Sequence, residues 1–265
     1  MIHPLSSVHP EAKIGKNVII DPFVNIQKDV VIGDNTWIGS NVTIFDGARI
    51  GNNCKIFPGA VISAIPQDLK YKGEQTIVEI GDNTMIREFV TVNKGTVAAG
   101  KTSVGSNCLL MAYVHIAHDC ILGNNVILAN GVTLAGHIEV EDYVVIEGLV
   151  AIQQFVRLGA HSFIGGGSLV RKNVPPFVKA AREPLSYAGI NSVGLRRRGF
   201  TPERIREIQD TYRIIFQSGF TNTKALGIVE EEINPSAERD AIVSFIRASE
   251  KGIMRGYATV TQEEV

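Results

Sequence analysis

Residues 14–38 decide the fold, and they read IGKNVIIDPFVNIQKDVVIGDNTWI. An aliphatic side chain stands at every sixth position, and the same count continues from Val8 to Val170. Steps of six reach 28 positions, of which 25 are Ile, Leu or Val; the exceptions are Asp68, Glu74 and Ala98. Neither an α-helix nor an ordinary β-strand has a period of six. The period predicts a solenoid in which each hexapeptide forms one side of a prism and three hexapeptides complete one coil.

Two further positions of the hexapeptide support this solenoid. Glycine often follows the aliphatic residue, as at Gly15 and Gly33, and a corner with unusual backbone angles would explain it. Four residues after the aliphatic, the side chain is small or β-branched: Ala12, Val18, Val24, Thr36, Ala48, Cys54, Val126 and Ser162. All three cysteines (Cys54, Cys108 and Cys120) take this small position, so we interpret them as core residues rather than metal ligands or disulfide partners.

The composition is that of a water-soluble chain. The 265 residues include 26 Lys and Arg against 27 Asp and Glu, a net charge of -1. The first ten residues lack the basic and apolar segments of a signal peptide, and no apolar run approaches the roughly 20 residues that span a bilayer. We therefore expect a cytoplasmic protein with no stable membrane insertion.

The hexapeptide count is interrupted twice and then ends. We expect excursion loops near residues 63–79 and 93–103, each returning in phase with the repeat. The repeat stops at Val174-Pro175-Pro176, where consecutive prolines remove the donors that a sheet edge needs. Residues 1–176 are therefore predicted to form the solenoid, and residues 177–265 a linker and a helical domain.

The segment after residue 176 predicts an irregular linker to residue 200 and then three helices. Thr201-Pro202-Glu203 gives an N-cap followed by a proline in the first turn, and Gly219 ends the pattern. Two more helices are expected around Lys224–Ile233 and Ser236–Ser249. Such a domain would cover one open end of the prism.

Positive charge is concentrated at this junction. Val170–Arg213 contains ten Lys or Arg and four acids, a net charge of +6. A basic rim suits an acidic protein partner or a phosphorylated substrate. Nucleic acid is disfavoured as a partner, because aromatic residues are scarce there and the whole chain is not basic.

The residues with catalytic potential lie where the repeat is most regular. They are found in Ala112-Tyr-Val-His115-Ile-Ala-His118-Asp119-Cys120 and in Leu134-Ala-Gly136-His137. Residues three hexapeptides apart should stack about 4.8 Å apart on neighbouring coils. This spacing places Gly136 over His118, Gln154 over Gly136 and His137 over Asp119, and it puts His115 on the same region of the surface.

This cluster suits the removal of a proton from a hydroxyl group. A neutral imidazole beside a carboxylate is the usual general base near neutral pH. The backbone N–H of Gly136 could hold the oxyanion formed when the hydroxyl attacks an ester or thioester. No Ser or Cys nucleophile is expected beside the histidines, so direct acyl transfer is favoured over a covalent enzyme intermediate.

Several motifs together carry a resemblance to a known family. They are the hexapeptide prism, Gln67-Asp68-Leu69-Lys70-Tyr71, His115-Ile-Ala-His118-Asp119-Cys120, Leu134-Ala-Gly-His137 and Gly194-Leu-Arg-Arg-Arg-Gly-Phe200. The chain resembles the acyl-carrier-protein-dependent UDP-N-acetylglucosamine O-acyltransferases of lipid A biosynthesis over nearly its whole length. Hexapeptide repeats occur in many acyltransferases and acetyltransferases, whereas the histidine string and the Gln-Asp-Leu-Lys loop are more specific.

The resemblance implies a fold, a reaction and partners. The implied fold is a mainly β left-handed parallel β-helix with a C-terminal α-helical domain, assembled as a homotrimer with active sites between subunits. The implied reaction transfers a (3R)-3-hydroxyacyl chain from acyl carrier protein to the 3-hydroxyl of UDP-N-acetylglucosamine. It needs no metal and no cofactor other than the phosphopantetheine that carries the acyl chain.

The resemblance also implies roles for individual residues. His118 would be the base, Asp119 would orient it, and the Gly136 N–H would hold the oxyanion. Substrate contacts would come from the following residues: Gln67 and Asp68 on the sugar, Lys70 on a phosphate, His115, His137 and Gln154 on sugar, acyl or nucleotide groups, and Asn191, Arg197 and Arg198 on the acyl donor or the nucleotide phosphates. Gly166 matches a position that sets acyl-chain length, and a glycine there leaves room for a long chain.

The chain departs from the family pattern at two positions. Gln153 stands where many relatives have a histidine, and it cannot titrate. Val193 stands where some relatives have a glutamate, which affects how the nucleotide or pantetheine is held.

Three alternatives remain open from the sequence. One is an N-acyltransferase acting on a 3-O-acylated UDP-glucosamine, although that class usually has an additional amino-terminal domain. A second is a zinc enzyme of the γ-carbonic anhydrase type, in which histidines bind the metal at subunit interfaces. The third is a purely structural solenoid.

Overall fold

The chain winds into a three-sided prism of short parallel strands. The computed structural model describes residues 1–256, and each coil places one strand on each side of the prism. Ile26 pairs with Ile44 and Ile44 with Ile62, so neighbouring coils are three hexapeptides apart in register. The predicted coil length is therefore confirmed.

The strands build three sheets, which we call faces 1, 2 and 3. In chain order the strands are β1 (Ser7–Val8), β2 (Lys13–Ile14), β3 (Ile19–Ile20), β4 (Asn25–Ile26), β5 (Val31–Ile32), β6 (Trp37–Ile38), β7 (Thr43–Ile44), β8 (Ala48–Ile50), β9 (Lys55–Ile56), β10 (Val61–Ala64), β11 (Ile77–Ile80), β12 (Met85–Ile86), β13 (Thr91–Asn93), β14 (Lys101–Val104), β15 (Leu109–Leu110), β16 (His115–Ile116), β17 (Ile121–Leu122), β18 (Ile127–Leu128), β19 (Thr133–Leu134), β20 (Glu139–Val140), β21 (Val145–Ile146), β22 (Ala151–Ile152), β23 (Arg157–Leu158), β24 (Phe163–Ile164), β25 (Leu169–Val170), β26 (Val178–Ala181) and β27 (Ser186–Ile190). Face 1 consists of β1 and every third strand to β25, and face 2 of β2 and every third strand to β23. Face 3 runs from β3 by the same step to β24 and is extended by β26 and β27.

The aliphatic residues of the repeat fill the interior of the prism. From Ile20 to Val170 each of them is at most 3% exposed, whereas Val8 and Ile14 in the first coil are only partly buried. Cys54, Cys108 and Cys120 are free and buried in the same interior, as the sequence predicted.

The corners are built differently from the expectation. The glycines after the aliphatic residues were expected to need unusual backbone angles, but Gly15 does not have a positive φ. A Cβ there would lie 2.5 Å from Oδ1 of Asp34 on the next coil, so the glycine is required by close approach. The left-handed conformation occurs two residues later, as at Asn17 and Asn35 with φ of 56° and 58°. Asn tolerates that conformation better than most residues.

The two excursions leave the prism at the same edge, between faces 1 and 2, which we call edge 1–2. Residues 65–76 connect β10 to β11, and residues 94–100 connect β13 to β14. Across them Ile62 pairs with Val92, five hexapeptides later, and Val92 pairs with Ile116, four hexapeptides later. Relative to the regular coil of three hexapeptides, the first excursion therefore adds two hexapeptide lengths and the second adds one. These additions contain the three interruptions of the sequence repeat.

The segment 177–200 is not the irregular linker that the sequence predicted. Strand β26 pairs with β24 in parallel, and β27 returns antiparallel to β26, so face 3 continues beyond the two prolines. Helix α1 (Ser192–Arg197) follows directly. The prolines end the repeat, but the sheet is extended by strands whose sequence lacks the hexapeptide pattern.

Three longer helices complete the described chain. They are α2 (Pro202–Gln217), α3 (Asn222–Glu232) and α4 (Ala237–Arg247), and the side chains of Thr201, Thr221 and Ser236 cap their first turns. Tyr212 of α2 is fully buried, and its hydroxyl donates a hydrogen bond of 2.6 Å to the carbonyl of Pro176. This bond attaches the helices to the end of the prism. None of the helices within residues 1–256 has the length and apolar character needed to cross a bilayer.

Candidate active site

The predicted catalytic residues meet on edge 1–2. His118 and Asp119 follow β16, and Gly136 and His137 occupy the equivalent positions one coil later, after β19. The backbone N–H of His137 donates to the carbonyl of His118 at 3.1 Å, so the two corners stack directly. The spacing of one coil therefore brings these groups together as expected.

His118 and Asp119 form a hydrogen-bonded pair that is shielded from solvent. The ring Nδ1 of His118 lies 2.8 Å from Oδ2 of Asp119. The side chains are 6% and 0% exposed. If Nδ1 carries the proton and donates to the carboxylate, Nε2 is left as the acceptor that a general base needs.

Asp119 is held as a carboxylate by its surroundings. Burial raises its pKa, but hydrogen bonds from the side chain of Thr96, from His118 and from the backbone of Thr96 outweigh burial and keep the pKa below the ordinary value. The backbone N–H of Asp119 donates to Oγ1 of Thr102 at 2.9 Å, which fixes the corner itself. The pair is therefore an imidazole facing a permanently ionised acid near neutral pH.

Gly136 leaves the space that the imidazole of His118 occupies. A Cβ at Gly136 would lie 2.5 Å from Cε1 and 2.7 Å from Nε2 of His118. Among residues 1–256, the backbone N–H of Gly136 has no hydrogen-bond acceptor. A free N–H beside the open nitrogen of the base is the geometry that an oxyanion donor requires.

His137 and Phe155 form the next layer of the site. The rings of His118 and His137 meet edge to face at 5.1 Å, and His137 stacks on Phe155 at 4.6 Å between centroids. Phe155 was not predicted as a site residue, although it lies one coil after His137 and the stacking rule could have found it. The aromatic contact fixes the imidazole of His137 beside the base.

The same three polar residues have the donor types of a metal site. Atoms from His118, Asp119 and His137 lie within 4.8 Å of one another. Oδ2 of Asp119, however, already accepts from Oγ1 of Thr96 and from His118, and it lies 3.7 Å from Nε2 of His137. A carboxylate oxygen that accepts two hydrogen bonds fits an acid–base pair better than a metal ligand.

The thiol nearest in sequence does not reach the site. Cys120 points into the core, where its Sγ lies 3.0 Å from the carbonyl of Ala135. Burial raises the pKa of this thiol to about 12, so it stays protonated and unreactive. This agrees with the sequence-based expectation of no cysteine nucleophile at this position.

His115 and Gln154 lie near the pair without contacting it directly. His115 is on face 1, where its Nδ1 lies 2.7 Å from Oγ1 of Thr91, and burial lowers its pKa. Gln154 is exposed one coil beyond Gly136, and its carbonyl accepts from the Nζ of Lys251 at 2.7 Å.

The first excursion places Gln67, Asp68 and Lys70 on the same edge as His118. Oδ1 of Asp68 accepts from the backbone N–H of Lys70 at 3.0 Å and shapes the turn. The side chains of Gln67 and Lys70 are exposed. The structure brings these residues to the same edge as the His118–Asp119 pair, but not into contact with it within one chain.

A second group of predicted residues lines a groove on face 3. The groove has a volume of about 610 Å³, with Ile127, Val145 and Phe163 among its apolar lining residues. Its polar lining residues include Lys179, Asn191, Arg197 and Arg198, and Val193 also lines the groove. Edge 1–2 is opposite face 3 in a three-sided prism, so one chain holds the two groups far apart.

The polar side chains of the groove differ in how fully their hydrogen-bonding groups have partners. Asn191 donates to the carbonyl of His161 at 2.9 Å and accepts from the N–H of Gly194, so its amide shapes the groove. Nη1 of Arg198 is buried and has no hydrogen-bond partner among residues 1–256. A buried guanidinium N–H with no acceptor suits an anionic ligand.

The basic segment that the sequence predicted is partly neutralised. Among residues 1–256, the ion pairs of this segment include Arg171 with Glu183, Arg204 with Glu238, Arg206 with Glu203, and Arg213 with Asp210. Lys179, Arg197 and Arg198 instead line the groove. Part of the positive charge of the segment therefore lines the groove.

Gly166 lies at the corner between faces 3 and 1, which we call edge 3–1. Its N–H donates to Oε2 of Glu147 at 2.9 Å, and a Cβ would lie 3.3 Å from the carbonyl oxygen of Gly148. Two side-chain-free corners on successive coils leave an indentation at this edge. Gly148 was not predicted from the sequence.

The fold and this site define a class of protein, the hexapeptide-repeat acyltransferases. A family model described as bacterial transferase hexapeptide (six repeats) matches residues 29–64 and 101–136. A second model, described as UDP N-acetylglucosamine O-acyltransferase, domain 2, matches residues 173–254.

Whole-chain comparisons identify the family. An acyl-[acyl-carrier-protein]–UDP-N-acetylglucosamine O-acyltransferase of Alkalilimnicola ehrlichii is 47% identical and covers 96% of this chain and 99% of its own length. The corresponding protein of Halorhodospira halophila is 45% identical with the same coverage. The chain belongs to the family of acyl-[acyl-carrier-protein]–UDP-N-acetylglucosamine O-acyltransferases.

Solved structures agree with this assignment. A UDP-N-acetylglucosamine acyltransferase from Bacteroides fragilis superposes with a TM-score of 0.95 at 54% identity, covering 96% of this chain and 100% of its own. The Francisella novicida enzyme has a TM-score of 0.93 at 44% identity, covering 96% and 94%. The predicted fold, a left-handed parallel β-helix followed by helices, is confirmed. These relatives give no support to the N-acyltransferase or zinc-enzyme alternatives.

Proposed function

We propose that this protein transfers a (3R)-3-hydroxyacyl chain from acyl carrier protein to the 3-hydroxyl of UDP-N-acetylglucosamine, the first step of lipid A biosynthesis. The observation that carries the proposal is the buried His118–Asp119 pair beside the free N–H of Gly136. Family membership supplies the substrates, because relatives are named for this donor and this acceptor.

The geometry supports direct acyl transfer. Nε2 of His118 takes the proton of the sugar hydroxyl as its oxygen attacks the thioester carbonyl, and Asp119 stabilises the imidazolium that forms. The N–H of Gly136 donates to the oxyanion of the tetrahedral intermediate. When the intermediate collapses, the C–S bond breaks and the imidazolium returns its proton to the departing thiolate. No cofactor takes part beyond the phosphopantetheine of the carrier, and no metal is needed.

The substrates would contact both groups of residues, those on edge 1–2 and those that line the groove on face 3. Gln67 and Asp68 would contact the sugar, and Lys70 a phosphate, because all three lie on the edge that holds the base. His115, His137 and Gln154 would border the sugar and acyl groups. Arg197 and Arg198 would bind phosphate of the nucleotide or of the acyl donor, in a groove that Asn191 shapes.

Gly166 would define the far end of the acyl site. It lies across face 1 from edge 1–2, and one side of the prism is one hexapeptide long, about 20 Å when extended. An acyl chain laid across face 1 would reach the indentation formed by Gly166 and Gly148. The missing side chains there leave room for a long chain.

We also propose a homotrimer, because one chain separates two halves of the site. Closed threefold symmetry would set face 1 of one subunit against face 3 of the next, with edge 3–1 at the axis. The outward residues of β1 to β25 on face 1 include no Asp, Glu, Lys or Arg, whereas Lys13, Arg49, Glu79, Glu139 and Arg157 point outward on face 2. Face 3 carries cations, among them Lys55 and Lys179, so the depletion of charge that is typical of permanent interfaces is seen on face 1.

Acyl carrier protein would be an acidic partner for the cations near the groove.

We also expect a cytoplasmic location for the protein. The three free, buried thiols are consistent with a reducing compartment.

The test is an assay of acyl transfer with purified protein. A series of acyl carrier proteins loaded with chains of different length is combined with UDP-N-acetylglucosamine or its 3-amino analogue. His118→Ala is expected to lose at least about 100-fold in kcat while remaining folded, because a general base contributes that much. Near-normal turnover by this variant, or no acyl transfer by the wild type to either acceptor, would refute the proposal.

A further inference from the structure

Both oxygens of the Asp119 carboxylate are bound by one residue of the second excursion, Thr96. The backbone N–H of Thr96 donates to Oδ1 at 2.8 Å, and its hydroxyl donates to Oδ2 at 2.7 Å. Thr96 is itself buried, with 8% of its surface exposed. Two bonds from one residue fix the rotation of the carboxylate about its Cβ–Cγ bond.

This orientation matters because two imidazoles lie within reach of Oδ2. Nδ1 of His118 is 2.8 Å away, and Nε2 of His137 is 3.7 Å away. The carboxylate is fully buried, so solvent does not hold it in place. Without the bonds from Thr96, the carboxylate could turn toward His137 and leave His118 unpaired.

The excursion that carries Thr96 is firmly attached to the rest of the edge. The hydroxyl of Thr76 donates to the carbonyl of Gly95 at 2.6 Å, and the N–H of Lys94 donates to the carbonyl of Ala64 at 3.0 Å. Ala64 and Thr76 stand at the two ends of the first excursion. The second excursion therefore joins the loop proposed to bind the sugar to the carboxylate that orients the base.

We propose that Thr96 is a positioning residue that directs the Asp119 carboxylate to His118 and thereby fixes the tautomer and the direction of the base. The inference rests on the proposed function of the pair. Thr96 touches no reacting atom, so its effect on the rate is expected to act through Asp119, although its Oγ1 also accepts from the backbone N–H of Ala98 at 3.2 Å.

The test compares the kinetics of Thr96 variants. Thr96→Val keeps the shape and the backbone bond to Oδ1, but it removes the hydroxyl that donates to Oδ2 and accepts from the N–H of Ala98. It is expected to lower kcat about tenfold, the scale of one hydrogen bond to a charged group, and to change KM for the sugar nucleotide by less than about twofold. Thr96→Ser keeps the hydroxyl and should restore most of kcat.

The pH profile gives a second readout. The Thr96 hydroxyl lowers the pKa of Asp119, and this carboxylate acts on the base beside it, so the acid limb of kcat should shift in Thr96→Val and return toward the wild-type position in Thr96→Ser. A purely structural defect would lower kcat without a shift of the acid limb that serine reverses.

Thr84 provides the matched control. It is likewise buried, and its hydroxyl donates to the carbonyl of Gly105 at 2.9 Å, away from edge 1–2. Thr84→Val should leave kcat and the pH profile unchanged. An equal loss in Thr84→Val, a normal kcat in Thr96→Val, or no recovery in Thr96→Ser would overturn the positioning role.

Two further variants keep the outcomes distinct. If Thr96→Val does not fold, Thr96→Cys replaces the hydroxyl with a weak donor of similar size and should show the same loss. In an Asp119→Asn background, Thr96→Val should cause little further loss, and additive losses would contradict action through Asp119. An inactive His118→Ala with a normal Thr96→Val overturns this inference alone, whereas a fully active His118→Ala overturns the proposed function.

Discussion

At the scale of single residues, an absent side chain determines what His118 faces. Gly136 lies directly against the imidazole, and a Cβ there would overlap Cε1 and Nε2 of His118. The sequence predicted this contact, because the two positions are one coil apart. It did not predict Thr96, since the hydrogen bond to Asp119 spans 23 residues and depends on the path of an excursion that has no repeat.

Gly136→Ala tests the contact. The methyl group would displace the imidazole, and a shift of about 1 Å in a catalytic group costs about 100-fold in rate. We expect kcat to fall by that factor with little loss of stability, because Gly136 does not have a positive φ and alanine fits its backbone. Steady-state kinetics and thermal unfolding of the variant are the measurements. As a control, Gly148→Ala adds a methyl group away from the base and should leave kcat for short acyl chains unchanged.

At the scale of structural elements, each edge of the prism is a column of stacked residues. At the edge between faces 2 and 3, His161 stacks between Tyr143 and Phe177, with centroid distances of 4.9 Å and 5.6 Å. Burial, followed by the Arg198 guanidinium, lowers the pKa of His161 to about 4. The column therefore holds a neutral imidazole among aromatic rings.

This column predicts a pH dependence of stability. The unfolded chain binds a proton at His161 below about pH 6.5, whereas the folded chain does so only near pH 4. The free energy of unfolding should therefore fall as the pH drops from about 6.5 to 4, by at most about 1.4 kcal/mol per unit and by less where solvent reaches the ring.

His161→Phe removes this proton site and keeps the stacking, since Phe177 adopts the same backbone conformation. Denaturant unfolding at pH 7 and pH 5 should show a smaller difference for the variant than for the wild type. His9→Gln, at an exposed position, serves as the control. An identical pH dependence in His161→Phe and the wild type would count against this account.

The elements themselves were predictable to the extent that they follow the repeat. The interruptions at Asp68, Glu74 and Ala98 located both excursions, because each lies in a hexapeptide length added to a coil. The strands β26 and β27 were missed, since an added edge strand and its antiparallel partner need neither the aliphatic period nor a fixed length. The three longer helices were predicted within a few residues, because capping residues such as Thr201 and Ser236 mark their starts, whereas α1 lies in the segment that was expected to be irregular.

At the scale of the whole molecule, edge 3–1 carries exposed apolar residues where the threefold axis is proposed. Phe89 stacks on Tyr113 at 5.3 Å, and Leu149 is 75% exposed on the same edge. Exposed apolar side chains that continue over several coils indicate a protein interface. From the sequence alone the trimer followed only from the family resemblance, because the repeat does not reveal which face a neighbour covers.

Leu149→Lys tests the assembly. A charge placed at the proposed axis in three copies should dissociate the trimer, and activity should fall with it because the two halves of the site are then separated. Ile121→Lys on face 2 is the control, since that side chain is 46% exposed and points away from the proposed interface. Light scattering coupled to size-exclusion chromatography measures the mass. A trimeric Leu149→Lys, or a wild type that is monomeric and active, would contradict the arrangement.

The register of three hexapeptides per coil also makes the length of the molecule adjustable. Copying residues 27–44 in tandem would add one complete coil near the amino terminus, about 4.8 Å of extra height, and every later side chain would stay on its own face. Copying only one hexapeptide would turn the remainder of the prism by one side. The tolerated unit of insertion or deletion in the regular part of this chain is therefore the whole coil.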